Sequence, residues 1–188
     1  MENAIFPSQE PPADFSKTAI PVRMGLLIAF ISIFISTIAN LYLVSNMIPY
    51  FAVVSLGAIL TIILLGVTGS RQKKAMGGYI SIKEAFSAIF ISIIIIVVLT
   101  TLYSYIYMHF IDPNLQVKLK EATLAFSEKM GAPQSKLDDA AKNFDEKMEQ
   151  SKKISNQLLS VAWGIVIYSI FGFICAAIVK KDRPDTMR

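Results

Sequence analysis

The chain has 188 residues, 54% of them hydrophobic and 17% charged, with a formal net charge of +4 and a mean hydropathy of +0.53. Soluble domains carry about 25% charged residues, and the shortfall here is concentrated: Met24 to Ser70 holds no Asp, Glu, Lys or Arg, a run of 47 residues. Disorder, a disulfide scaffold (Cys175 is the single cysteine) and a conventional soluble enzyme are excluded, because an uncharged apolar run of this length reads as membrane-spanning helix.

Residues 1–21 read as an acidic, extended tail marked by Pro7, Pro11 and Pro12, without the apolar core of a signal peptide. The charge-free run is too long for one span of about 20 residues. It divides at Ser45-Asn46-Met47-Ile48-Pro49, since Asn suits a helix end and Pro suits a first helical turn. Span one is therefore expected over residues 22–44 and span two over 50–71, as antiparallel neighbours. Span two closes on Arg71, Lys73 and Lys74, cations that complement the helix dipole, with Gly77 and Gly78 available for a left-handed cap. Ser81 and Glu84 have capping-box spacing and open span three, expected over 82–110. Its β-branched run from Ile93 to Thr101 would be ambiguous in water, but a lone strand cannot satisfy its backbone in lipid, so it is read as helix.

Residues 112–153 are the one long connection, and they are patterned as a helical hairpin. Asp112 as cap with Pro113 behind it predicts a helix start. Leu115, Leu119, Ala122 and Phe126 then repeat at four, three and four, and Gly131-Ala132-Pro133 ends the helix. Ser135, with Asp138 three residues on, is expected to cap a second helix whose stripe is Leu137, Ala141, Phe144 and Met148. That helix is expected to run unbroken into span four, residues 154–180, followed by a short tail at 182–188. The stripes are thin, so the hairpin interface formed by Leu115, Leu119, Phe126, Leu137, Phe144 and Met148 needs further cover, from a second copy or a partner protein.

Ten Lys and Arg flank the ends of spans one, two, three and four on one side, whereas the hairpin carries eight Lys against eight Asp and Glu. The positive-inside rule then puts both termini in the cytoplasm. Tyr42, Tyr50, Tyr103, Tyr105 and Tyr107 fall at the opposite, outer ends, as interfacial anchors. The basic balance is thus topology signal and lipid attraction rather than nucleic-acid binding, and the bilayer is the one partner the composition names.

Away from their terminal turns the spans hold no Asp, Glu, Lys or Arg, which removes the usual handles for ion or proton pathways. Gly25, Ala29, Ser32, Ser36 and Asn40 share a face of span one, and Ser160, Gly164, Gly172 and Ala176 share one on span four. Small-residue helix packing explains both; a polar path through Ser32, Ser36, Asn40, Thr100 and Ser104 is the rival. His109 is read as an interfacial anchor ahead of a pH sensor. One His and one Cys build no metal site, Gly77-Gly78 lacks the rest of a phosphate loop, and no nucleophile set is visible. No catalytic, cofactor or metal residues are expected.

Gly-Gly-Tyr-Ile-Ser-Ile-Lys-Glu-Ala-Phe (Gly77 to Phe86) and Tyr-Ile-Tyr-Met-His-Phe-Ile-Asp-Pro (Tyr105 to Pro113) resemble the family called domain of unknown function 4199, over about residues 16–181. The resemblance implies a small four-span inner-membrane protein of Bacteroidota with a periplasmic helical segment between spans three and four, and no assigned activity. The expectation is a non-enzymatic membrane protein whose hairpin mediates self-association or partner binding. A small oligomeric transporter or channel, or a lipid-binding protein using Tyr103 to Tyr107, are the alternatives.

Overall fold

A computed structural model of the protein describes residues 15–151 and 153–182; residues 1–14 of the expected leading tail and 183–188 of the closing tail lie outside the described residues. The fold is all-α: α1 (Phe15–Ile38), α2 (Met47–Ala75), α3 (Ile82–Ile106), α4 (Leu115–Lys129), α5 (Gln134–Ser151) and α6 (Ile154–Val179). Two helices continue as π-helical turns at the same end of the molecule, α1 through Ala39–Leu43 and α3 through Tyr107–Ile111. Among the described residues, four segments are long and apolar enough to cross a membrane: Ala19–Leu43, Met47–Ala75, Ile82–Ile111 and Ser155–Val179.

Helix ends differ from expectation where the backbone continues past the apolar run. Helix α1 begins at Phe15 and carries Pro21 inside it, instead of starting at residue 22. Pro21 is fully buried, and its carbonyl accepts the Ser92 hydroxyl at 2.7 Å, a polar tie between α1 and α3. Helix α2 starts at Met47, with Pro49 in its first turn, and runs to Ala75, so it exceeds the expected 50–71 at both ends.

Helix α3 is the axis of the bundle. It buries Ala85, Ile89, Ser92, Ile93, Ile96 and Val97 against α1, α2 and α6. Glycines let the neighbours approach. A Cβ at Gly25 would lie 3.1 Å from the Ser92 Cα and 3.2 Å from its carbonyl oxygen, and one at Gly172 would lie 2.8 Å from the Ile93 Cδ1. In lipid such close packing replaces the hydrophobic drive between helices.

The end carrying Arg71, Lys73, Lys74 and Lys181 is tied tightly. Gly77 and Gly78 have φ of 80° and 89°, and their N–H groups donate to Lys74 O and Lys73 O, a Schellman cap on α2. The Ser81 hydroxyl accepts the Glu84 N–H while the Glu84 carboxylate accepts the Ser81 N–H, a complete capping box. Ile80 and Lys181 exchange both backbone hydrogen bonds at 2.9 Å, and Lys73 donates to Val179 O, fastening the end of α6 to the α2–α3 connection.

At the far end α4 and α5 form the hairpin. Gly131, at φ 80°, closes α4 with a second Schellman cap. Helix α5 starts at Gln134, ahead of the expected cap: the Pro133 carbonyl takes the N–H groups of Lys136 and Leu137, so Ser135 lies within the first turn, and Gln134 bonds the Asp138 carboxylate. Lys120 and Asp145 pair across the two helices at 2.7 Å. The expected continuity of α5 with α6 is not found. Lys153 has an extended backbone (φ −82°, ψ 127°) and separates the two helices. The carbonyls freed at Gln150 and Ser151 accept the side-chain amides of Asn156 and Gln157, so the break costs little backbone bonding.

Candidate functional site

The chemistry-bearing side chains gather where the hairpin meets the bundle. Asp112 accepts the Asn114 N–H at 3.2 Å and the Lys118 ammonium at 2.6 Å. Pro113 and Asn114 form a turn that closes Leu115 N–H onto the Asp112 carbonyl, so the α-helix proper begins at Leu115, two residues beyond the expected start. This tight entry lays α4 across the bundle. Leu115 is buried against Val44 and Tyr107 with Leu119 beside it, and one further turn along the same face Thr123 reaches the Met47 sulfur. The α4 stripe is thus covered by the protein's own spans as well as by α5. Phe126, Leu137, Phe144 and Met148 are all half-buried in the hairpin.

Tyr107 lies under this junction, 1% exposed. It is therefore a core residue of the hairpin seat and not an interfacial anchor, because the π-helical turn and Leu115 close over it. Tyr103 is likewise engaged, its hydroxyl 2.6 Å from that of Thr37. Tyr105 stays at the surface, its ring stacked 4.2 Å from His109, whose Nδ1 lies 2.9 Å from the Tyr105 carbonyl oxygen.

Two cavities flank the junction. The first, about 240 Å³, sits among the outer thirds of α1, α2 and α3. Ser36, Asn40, Tyr50, Thr100, Tyr103 and Ser104 line it, and Leu115 and Leu119 roof it. Asn40 Oδ1 accepts the Tyr50 hydroxyl at 3.2 Å. Four of the five residues of the rival polar path, Ser36, Asn40, Thr100 and Ser104, meet here; Ser32 is spent elsewhere, its hydroxyl 3.2 Å from that of Thr61.

The second, about 760 Å³, opens between α3 and α6 beneath α5. Gln116, Lys147, Gln150, Ser151, Asn156 and Gln157 form its mouth; Thr101, Ser104, Leu159, Trp163, Gly164 and Ile167 line its depth. Sequence reasoning placed Gly164 only as a packing residue, and it does pack, with Val97 3.1 Å from where its Cβ would be. It missed the mouth, whose one signal was a set of amide side chains at helix ends. Of the small-residue face, Gly25 and Gly172 are buried, while Ser32, Ser36 and Asn40 are half-buried and turned to other spans.

Neither a curated protein nor a solved structure matches the chain. A family model described as "Protein of unknown function (DUF4199)" matches residues 23–181, taking in all four spans and the hairpin, and the chain belongs to that family.

Proposed function

We propose that the protein is a non-enzymatic, multi-pass protein of a bacterial inner membrane, with both termini in the cytoplasm and the hairpin displayed in the periplasm as a docking element. The basic flanks gathered at one end of the bundle support that orientation. The observation that carries the docking reading is the unequal burial of the hairpin. Helix α4 is seated on the spans through Leu115 and Leu119, whereas α5 buries no residue and turns Lys142, Asp139 and Glu146 outward. A surface held in one orientation loses less freedom on binding than a mobile one. Its mixed charge suits a water-facing protein partner; because the apolar stripe is already covered, a second copy of the chain is the less favoured occupant.

A photo-crosslinking residue at Lys142 or Glu146, in the full-length protein in native membranes, is expected to give one discrete adduct. Absence of any adduct, with the protein purifying as a bare monomer in mild detergent, would sink the docking reading. The transport reading has the polar cavity in its favour, but the space toward the basic end is filled by Ile28, Leu65, Ile89 and Ile93.

A further inference from the structure

The geometry points to a phospholipid site along the α3–α6 seam, occupied by one lipid of the leaflet on the hairpin side, with its phosphate at the mouth beside Lys147. This goes beyond the docking reading and stands independently of it. Between the same two helices, nearer the basic end, lies a second groove of about 650 Å³, lined by Phe90, Val166, Ile170, Phe173 and Ser169, whose hydroxyl donates to the Ile165 carbonyl at 2.6 Å. Together they order polarity as an amphiphile does: amides and an ammonium at the mouth, hydroxyls and Trp163 below, then an apolar groove whose one hydroxyl, that of Ser169, is spent on a backbone carbonyl.

Length fits as well. From Ser160 to Ile170 helix α6 rises about 15 Å, half of the roughly 30 Å hydrocarbon core and so the depth of one leaflet. Charge fits too. The hairpin as a whole is balanced, yet the lining of the cleft includes Lys147 and no Asp or Glu. The mouth also sits at the start of α6, the positive end of a helix of 26 residues. A phosphate there meets one ammonium, the free amide hydrogens of Asn156 and Gln157, and no carboxylate from the lining. An acyl chain leaving it passes Trp163 and Ile167 into the apolar groove.

Trp163 is the chain's single tryptophan and lines the cleft, so it reports occupancy directly. The full-length protein in detergent would be titrated with phosphatidylglycerol brominated on its acyl chains, with a brominated non-ionic detergent in parallel. Saturable quenching by the phospholipid, absent with the detergent, is expected. Lys147→Gln is expected to weaken the apparent affinity about fivefold, the scale of an exposed ion pair. Thr101→Phe, which fills the cleft, is expected to abolish the saturable phase while leaving the helical circular dichroism and the unquenched emission as in the native chain. Quenching that rises linearly with lipid fraction in native and Thr101→Phe proteins alike would show annular contact only and overturn the site. Saturation indifferent to headgroup and to Lys147→Gln would overturn the phosphate assignment. If Thr101→Phe misfolds, Ser160→Phe at the same wall gives the same discrimination.

Discussion

Gly25 and Gly172 both allow a neighbour to press against α3, but different atoms stand in the way of a side chain. At Gly25 the obstacles are the Ser92 Cα and carbonyl oxygen, which are backbone and cannot give; at Gly172 the nearest is the Ile93 Cδ1, the tip of a flexible chain. Gly25→Ala is therefore expected to destabilise by about 2 kcal/mol, an overpacking cost. Gly172→Ala is expected to come out near neutral, because a similar clash relaxes and the helix gains about 1 kcal/mol of propensity. Unfolding in mixed micelles would measure both, and equal effects would show that the α1–α3 crossing is no tighter than the α3–α6 one. Ser92→Ala, at the same crossing, is expected to cost about 1 kcal/mol by leaving the Pro21 carbonyl without its hydroxyl partner. These residues were legible as a class, small and periodic, because packing in lipid selects small side chains. Which of them meets backbone was not legible, since that depends on crossing angles that no single helix encodes.

Among elements, α4 is held by two kinds of interaction that can be separated. Leu115 is 1% exposed on a helix outside the four candidate spans, so its burial is read as a hydrophobic effect in the ordinary sense. Leu115→Ala is expected to cost about 3 kcal/mol and to free the hairpin, seen as faster tryptic cleavage at Lys118 and Lys120 with the spans intact. Asp112→Ala removes the acceptor of the Asn114 N–H and the Lys118 ammonium. It is expected to cost about 1 kcal/mol, confined to fraying of the first turn of α4 in hydrogen exchange. The turn and cap residues here were legible because Pro fixes its own φ and Gly enters the left-handed region at no steric cost. The break at Lys153 was not, because no Gly or Pro marks it: it is held open by Asn156 and Gln157, whose amides serve a helix interior or a helix end equally well. Nor did the stripe of α4 show its second contact, since Leu115 and Leu119 satisfy a hairpin pattern whether or not a bundle lies beneath.

For the whole molecule, the charge-free runs announced four spans, and hydropathy marks where the membrane is more faithfully than where a helix ends. That is why α1 and α2 overrun their expected limits into charged flanks. Orientation is open to direct test once Cys175→Ser removes the chain's single cysteine, half-buried in α6. A cysteine at Met130, which is 73% exposed at the hairpin tip, is expected to react with an impermeant maleimide from the periplasmic side of intact cells. One at Lys74 is expected to react only after lysis. The reverse pattern would invert the topology and place the hairpin in the cytoplasm.

The π-helical turn at Tyr107–Ile111 sits between a span and everything displayed beyond it. Each residue advances an α-helix by about 100°, so this turn sets the compass bearing on which the hairpin leaves α3. Deleting one residue within it would restore a regular helix, swing Leu115 away from Val44 and Tyr107, and carry the hairpin round to a different neighbour. Family members that gain or lose a single codon at this spot would keep the same spans and the same hairpin, yet aim it at different surroundings.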